Sequence, residues 1–336
     1  MYRCEPIVPI LTIEEAEDLT ASALQRSGAN AANAASTARA LVAAEADGLK
    51  GHGLVRVPTY AAQLKAGKVK GDAVPAASQA RPAAVLIDAG FGFAYPALEL
   101  AVERLGPLAR AHGIAMAGIT RSHHCGAAGL PVEALARAGI VSLLFANAPA
   151  AMAPWGGRTP VFGTNPLAFG CPLPGGDPIV VDMSLSKVAR GNIIAAKRKG
   201  EAIPPDWALD AEGRPTTDPA AALTGTMAPL GDAKGVALAL MVELLAAGLT
   251  GSRFAGEATS FLDDIGEPPA TGQLMIAIDP LAFSDGALER FAVLASMIEA
   301  QDGARLPGAR RFQIRAASRR DGLDVAESLV TEIAAL

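Results

Sequence analysis

Aromatic residues make up only 4% of this chain, so it offers no array of stacking rings interleaved with cations on which nucleic-acid bases could lie. Basic residues are also in deficit. With 29 Lys and Arg against 34 Asp and Glu, the net charge is -5, which leaves no cationic excess to neutralise a phosphate backbone and excludes nucleic acid as a partner. Cysteine is rare: Cys4, Cys125 and Cys171 are odd in number and far apart, against a disulfide framework and in keeping with a reducing compartment. The four histidines, His52, His112, His123 and His124, lack metal-ligand spacing, so no metal is expected. Long apolar runs are missing as well. The N-terminal MYRCEPIVPILTIEEAEDL has no sustained hydrophobic stretch or small-residue cleavage site, and no later segment reaches a bilayer-spanning length without charge. A cytoplasmic chain without membrane contact is the expectation.

What is present is aliphatic: 51% of the 336 residues are hydrophobic, enough for more than one core. Thr12 with Glu15 reads as a capping box opening a helix that ends near Gly28, and Asn30 caps a second helix that stops at Gly48. Pro58 suits the first turn of a third. From about residue 83 the pattern changes to short apolar runs, AAVLIDA, IAMAGIT, IVSLLFAN, PIVVDMS and LMIAID, bounded by turn formers and read as buried strands. Helical stretches separate several of them, including YPALELAVERLGPLARAH, AAGLPVEALARA and GVALALMVELLAAGL. FAVLASMIEA and DVAESLVTEIAAL return to helical character near the end. The expected class is α/β, with residues 1–75 and 286–336 as one discontinuous, mainly helical domain. Residues 76–285 would form the α/β domain, carrying a helical and loop insertion near 190–250.

Three segments could carry chemistry. In GHGLVR, His52 stands between glycines and can exchange a proton near neutral pH, while Arg56 could hold a carboxylate through two parallel hydrogen bonds. A surface histidine in a turn and a solvated arginine would give the same pattern. In RSHHCGAAGLP, a strand-to-helix loop presents backbone N–H groups that suit phosphate, although local hydrogen bonds of His123 and His124 explain it equally. IDAGFGFAYP is no Rossmann fingerprint, because Tyr95 stands in the place of the third glycine. In GTNPLAFGCP and PIVVDMS, Thr164, Asn165 and Asp182 are either binding groups at strand ends or turn stabilisers. Late in the chain, ARLPGARR sets Arg305, Arg310 and Arg311 around a Pro-Gly turn, as a phosphate cradle or a solvated basic loop.

Taken in order, GHGLVRVPTYAAQLKAG, SHHCGAAG, GTNPLAFGCP, VVDMSLSKVARG, GDAKG and RLPGARR resemble the malate/L-lactate dehydrogenase-like oxidoreductases over almost the whole chain. The resemblance implies a non-Rossmann NAD(P)-binding fold with a central mixed sheet and helices from both termini, assembled as a homodimer. It implies His52 as proton donor, with Arg56 and Thr164 as substrate contacts. The cofactor residues it implies are His124, Cys125, Gly126, Ala127 and Ala128, then Asp182, Met183 and Ser184, then Ala233 and Lys234. Arg305, Leu306, Pro307, Gly308, Ala309, Arg310 and Arg311 complete that set. Arg310 and Arg311 favour NADPH over NADH through the 2′-phosphate.

Within the family the GHG, SHHCGAAG and GDAKG blocks look most like the branch that reduces Δ1-pyrroline-2-carboxylate and Δ1-piperideine-2-carboxylate to L-proline and L-pipecolate. A 2-oxo acid/2-hydroxy acid dehydrogenase is the alternative, and a catalytically silent dinucleotide-binding protein a further one. Relatives often place Ser before the histidine and, in the piperideine enzymes, Asp at a relay position. Here those positions are Gly51 and Asn192, so the implied relay to His52 lacks its full charge.

Overall fold

The computed structural model describes residues 10–336; Cys4 and the expectations attached to the first nine residues lie outside the described residues. Thr12 Oγ1 accepts from the Glu15 N–H at 3.1 Å, and the Glu15 carboxylate accepts from the Thr12 N–H at 2.8 Å. The capping box thus opens Ile13–Arg26. Asn30 caps Ala31–Ala46 by accepting from the Asn33 N–H, and Pro58 sits in the first turn of Val57–Lys65. Apolar faces of these helices, with Leu24, Leu41, Leu54 and Tyr60, share one core with Leu323, Val325 and Ile333. The two ends of the described chain are also tied by backbone, since Ile10–Leu11 pairs antiparallel with Leu323–Asp324.

Among the described residues seven strands make the central sheet, in the spatial order Ala76–Arg81, Ala84–Asp88, Ile114–Ser122, Thr271–Ile278, Val141–Ala146, Leu167–Cys171 and Ile179–Met183. Of its six pairings, only that of Ala84–Asp88 with Ile114–Ser122 is parallel. A mixed, mostly antiparallel sheet is not the doubly wound parallel sheet of a Rossmann domain. Alternation along the strands builds the layers. Leu144, Ala146, Met275 and Ala277 join the face covered by Ala94–His112 and Gly129–Arg137, while Leu143, Phe145, Leu274 and Ile276 join the opposite face. Ala233–Glu243 and the π-turn Leu244–Gly248 cover that second face, together with Ile193, Ile203, Ala222 and Met227. Burial on both faces explains why these strands read as continuous apolar runs.

Three elements are invisible to apolar periodicity. Ala76–Arg81 is a polar edge strand, and Leu167–Cys171 is short and enclosed in a Pro- and Gly-rich run. The helix Ala309–Asp321 buries only Arg311 and Phe312, and the segment read as a phosphate cradle or a solvated basic loop around a Pro-Gly turn runs on into its first turn. No helix among the described residues is long and apolar enough to cross a membrane.

Candidate active site

His52 ends a short 3-10 turn, Lys50–His52, and Arg56 ends the next, Leu54–Arg56, just before the helix Val57–Lys65. The glycines beside His52 have different reasons to be there. A Cβ on Gly53 would lie 2.1 Å from Glu45 Oε2, whose carboxylate accepts the Leu54 N–H, so close packing demands glycine; Gly51 has open space around it. Arg56 Nε donates to the Gly51 carbonyl at 2.8 Å, which fixes the guanidinium beside the His52 turn, and its remaining N–H groups have no protein partner among the described residues. A guanidinium held in place with donors to spare can hold a carboxylate through two parallel hydrogen bonds.

The strand Ile114–Ser122 delivers His123 and His124 to the same place. The His124 ring stacks on His52 with centroids 5.3 Å apart, and Phe261, from the loop before Thr271–Ile278, packs 5.2 Å from both His123 and His124. That loop is anchored from below by Lys68, whose fully buried ammonium donates to the carboxylate and carbonyl of Asp263 and to the Ile265 carbonyl. Burial, with Arg56 nearby, lowers the His52 pKa to about 4, and burial with Lys68 and Arg56 lowers that of His123 to about 3. The imidazole of His52 is therefore neutral in the free chain at neutral pH. It is poised as a proton acceptor, and the sequence-based assignment of donor requires it first to take up a proton.

His52 Nδ1 is sealed from solvent and has no hydrogen-bond partner among the described residues. Asn192 lies exposed in the first turn of Arg190–Lys199. The relay implied for that position is not formed.

The loop that begins at His123 runs to the N-terminus of Gly129–Arg137, where the Gly129 N–H donates to Asp182 Oδ2 at 2.8 Å. That helix end is thus partly satisfied by a carboxylate. Cys125 is buried and its thiol is pushed up to about 12 by burial, so the loop contributes backbone and no thiolate. Gly126, at φ 68°, leaves room for the Tyr95 ring 2.7 Å from where a Cβ would stand.

Asp182 also borders a pocket of about 330 Å³ lined by Val180, Arg305, Leu306, Pro307, Gly308, Arg310 and Arg311. Arg305 and Arg310 have no partner in the protein among the described residues. Arg311 does: it reaches Asp182 at 3.1 Å and Asp47 at 3.6 Å, and is 9% exposed. Arg311 therefore lines the pocket with its charge opposed by two carboxylates, although its Nη1 has no hydrogen-bond partner among the described residues, whereas Arg310 is unpaired.

From Asp47 the ion pairs continue through Arg315, at 2.6 Å, to Glu133, at 2.5 Å, and on to Arg137. Burial opposes the charge of Glu133, but hydrogen bonds from Arg315 and Arg137 hold its carboxyl below the ordinary value. The Arg137 and Arg315 guanidinium groups both lie over the Phe312 ring, 5.4 and 5.3 Å from its centroid. The chain of charges joins the end of Ala31–Ala46, the helix Ala309–Asp321 and the edge strand carrying Asp182.

Of the remaining expected residues, Ser184 Oγ donates to the Thr164 carbonyl and lies 2.6 Å from Ser186 Oγ, next to Met183 at the strand end. Thr164 Oγ1 makes no hydrogen bond in the protein among the described residues. Ala233 and Lys234 open their helix just after Leu230, whose N–H donates to the Leu185 carbonyl. The neighbouring Asn165 is structural: wholly buried, it donates to Glu243 at 2.7 Å and to the Ala239 carbonyl. Sequence reasoning missed Phe261 and Lys68, which lie outside every quoted block, and Tyr60, which lies within GHGLVRVPTYAAQLKAG without a role implied for it.

Residues 11–334 match the malate/L-lactate dehydrogenase family. The chain is 52% identical to the (2R)-3-sulfolactate dehydrogenase (NADP(+)) of Chromohalobacter salexigens, over 97% of each chain. It is 42% identical to a Δ1-pyrroline-2-carboxylate/Δ1-piperideine-2-carboxylate reductase of Pseudomonas aeruginosa, over 97% of this chain and 98% of the other. The crystal structure of Δ1-piperideine-2-carboxylate reductase from Pseudomonas syringae superposes with a TM-score of 0.93 at 37% identity, over 97% of this chain and 99% of the other.

Proposed function

The chain belongs to the malate/L-lactate dehydrogenase family of NAD(P)-dependent oxidoreductases, and on that premise we propose that it interconverts a small 2-hydroxy acid and its 2-oxo acid with NADP(H), the substrate being of the 3-sulfolactate kind. The observation that carries the chemistry is the neutral His52 imidazole beside an Arg56 guanidinium with donors to spare. The sulfolactate dehydrogenase relative, at 52% identity against 42% for the imine reductase, supports the substrate class.

Arg56 binds the carboxylate and orients C2. His52 takes the hydroxyl proton as the carbonyl forms, and in the reverse direction returns it. A bound nicotinamide supplies the hydride chemistry at C2. Substrate carboxylate at Arg56 cancels the positive charge that opposes His52 protonation, so reduction of the 2-oxo acid is coupled to uptake of a proton. Reduction of cyclic 2-imino acids is the second reading, supported by the P. aeruginosa and P. syringae relatives. The test is a comparison of kcat/KM for 3-sulfopyruvate, pyruvate, oxaloacetate, Δ1-pyrroline-2-carboxylate and Δ1-piperideine-2-carboxylate. A preference for the cyclic imines would replace the first reading with the second.

The pocket beside Asp182 fits the adenosine end of the cofactor, with a carboxylate suited to ribose hydroxyls and two unpaired cations suited to phosphate. Arg310→Ala is expected to raise KM for NADPH about tenfold or more, the worth of a charged hydrogen bond, and to leave KM for NADH within about twofold. Equal losses with both cofactors would remove Arg310 from 2′-phosphate recognition.

The expected homodimer is read onto the part of the second sheet face, on Ala84–Asp88 and Ile114–Ser122, that the helices leave uncovered. Leu86, Ile114 and Met116 are exposed there beside Leu281 and Phe283, the last 85% exposed, an apolar patch of the kind a second copy covers. Phe283→Glu is expected to shift the light-scattering mass from dimer to monomer; a protein that is monomeric before the substitution rules the interface out.

A further inference from the structure

We propose that Tyr95 and Tyr60 fix the tautomer of His124, making its Nε2–H a standing hydrogen-bond donor beside the ligand atom that exchanges its proton with His52. Tyr60 is then a positioning residue, and the ligand it selects for bears an acceptor oxygen at C2. The substrate half of this rests on the 2-oxo acid reading above; the tautomer does not.

Tyr60 is 0% and Tyr95 5% exposed. The Tyr60 hydroxyl lies 3.1 Å from that of Tyr95 and 2.7 Å from His124 Nδ1. Phe93 packs against the Tyr60 ring at 5.0 Å and His123 meets it edge-on at 5.5 Å, so the phenol has one position. The space for Tyr95 is kept by Gly126.

Counting protons decides the direction of this chain. Burial pushes the Tyr60 phenol up to about 12 and raises that of Tyr95 further, so both carry a hydrogen, while burial with the charge of Arg56 keeps His124 from becoming an imidazolium. If Tyr95 donates to Tyr60 and Tyr60 donates to Nδ1, each phenolic hydrogen has an acceptor. If instead Nδ1–H donates to Tyr60, then Tyr60 must donate to Tyr95, and the buried Tyr95 hydrogen has none among the described residues. Either direction leaves one hydrogen without a protein acceptor among the described residues, but the Tyr95 hydroxyl is buried whereas His124 Nε2 is not sealed from solvent, where water or a ligand can accept, so the first direction wins. The single ring proton of His124 then resides on Nε2, which has no protein acceptor among the described residues. The ring stacks on His52 at 5.3 Å, so a ligand atom in reach of one imidazole is beside the other. A carbonyl or hydroxyl oxygen accepts from Nε2–H; a protonated cyclic imine presents another donor there and is disfavoured.

The test is 15N NMR of the histidine side chains in the unliganded protein, with Tyr60→Phe, Tyr95→Phe and His124→Gln for assignment. The expected result is an unprotonated Nδ1 and a protonated Nε2 on His124, shifting to a mixture of tautomers in Tyr60→Phe. With it should come a fall on the order of tenfold in kcat/KM for 2-oxo acids and a smaller fall for cyclic imines. An Nδ1-protonated His124 in the parent protein, or an unchanged tautomer in a Tyr60→Phe protein with native unfolding behaviour, overturns the proposal. If the tautomer is as stated but 2-oxo acids are not turned over, the function reading fails and the positioning role stands.

Discussion

Replacing His52 by Ala is expected to lower kcat by about 10²- to 10⁴-fold in both directions, the usual worth of a positioned acid or base, with KM for the carboxylate substrate changed far less because Arg56 is untouched. The pH profiles of the parent enzyme give the prediction its sign. Because His52 titrates at about 4 in the free protein, kcat/KM for oxidation of the 2-hydroxy acid, which needs the neutral ring, should stay level down to acid pH. It should fall only as the pH drops through that value. In reduction the protonated ring is required, so kcat/KM should decline by about tenfold for each pH unit above it, until a second group or step limits. An oxidative limb breaking near the ordinary histidine value of about 6.5 would show that burial and Arg56 do not depress His52. A His52→Ala enzyme with parental kcat would remove the assignment altogether.

Asp47→Ala should be the most damaging substitution away from the reacting groups. The Asp47 side chain is 0% exposed and lies between Arg311, at 3.6 Å, and Arg315, at 2.6 Å. Removing its charge leaves two buried guanidinium groups with one carboxylate fewer, and breaking a buried pair in this way costs about 3–5 kcal/mol. Arg39→Ala, which breaks the exposed pair with Glu99, should cost less than about 1 kcal/mol. Denaturant unfolding of the two variants makes the comparison directly. NADPH affinity of Asp47→Ala provides a second readout, since Arg311 would turn fully toward Asp182 at the edge of the cofactor pocket. Equal stability of the two variants would mean that the ion-pair chain does not hold the helical ends to the sheet.

Much of the site was legible because its parts are local. His52 and Arg56 are four residues apart, so one turn decides their proximity. The loop at His124–Ala128 announces itself by the strand before it and the helix after it. By contrast, Arg310 and Arg311 are adjacent in sequence, equal in chemistry and line the same pocket, yet Arg310 is unpaired there and Arg311 is paired with Asp47 and Asp182. The partners that distinguish them lie 264 and 129 residues away in the chain, and no local pattern encodes them. Asn192, at the position where the resemblance implies a relay, lies exposed, and His52 Nδ1 has no partner among the described residues; neither feature is written in the sequence around it.

By itself the sequence determined the α/β class, the capped helices near the start, the five apolar strands and the family, because each is written in short-range periodicity, capping chemistry or motif order. Only the tertiary structure decided the protonation state of His52, the internal pairing of Arg311 and the link from Tyr95 through Tyr60 to His124. These depend on desolvation and on charges and hydroxyl groups brought together from distant segments, and burial is a property of the packed chain that no stretch of sequence carries alone.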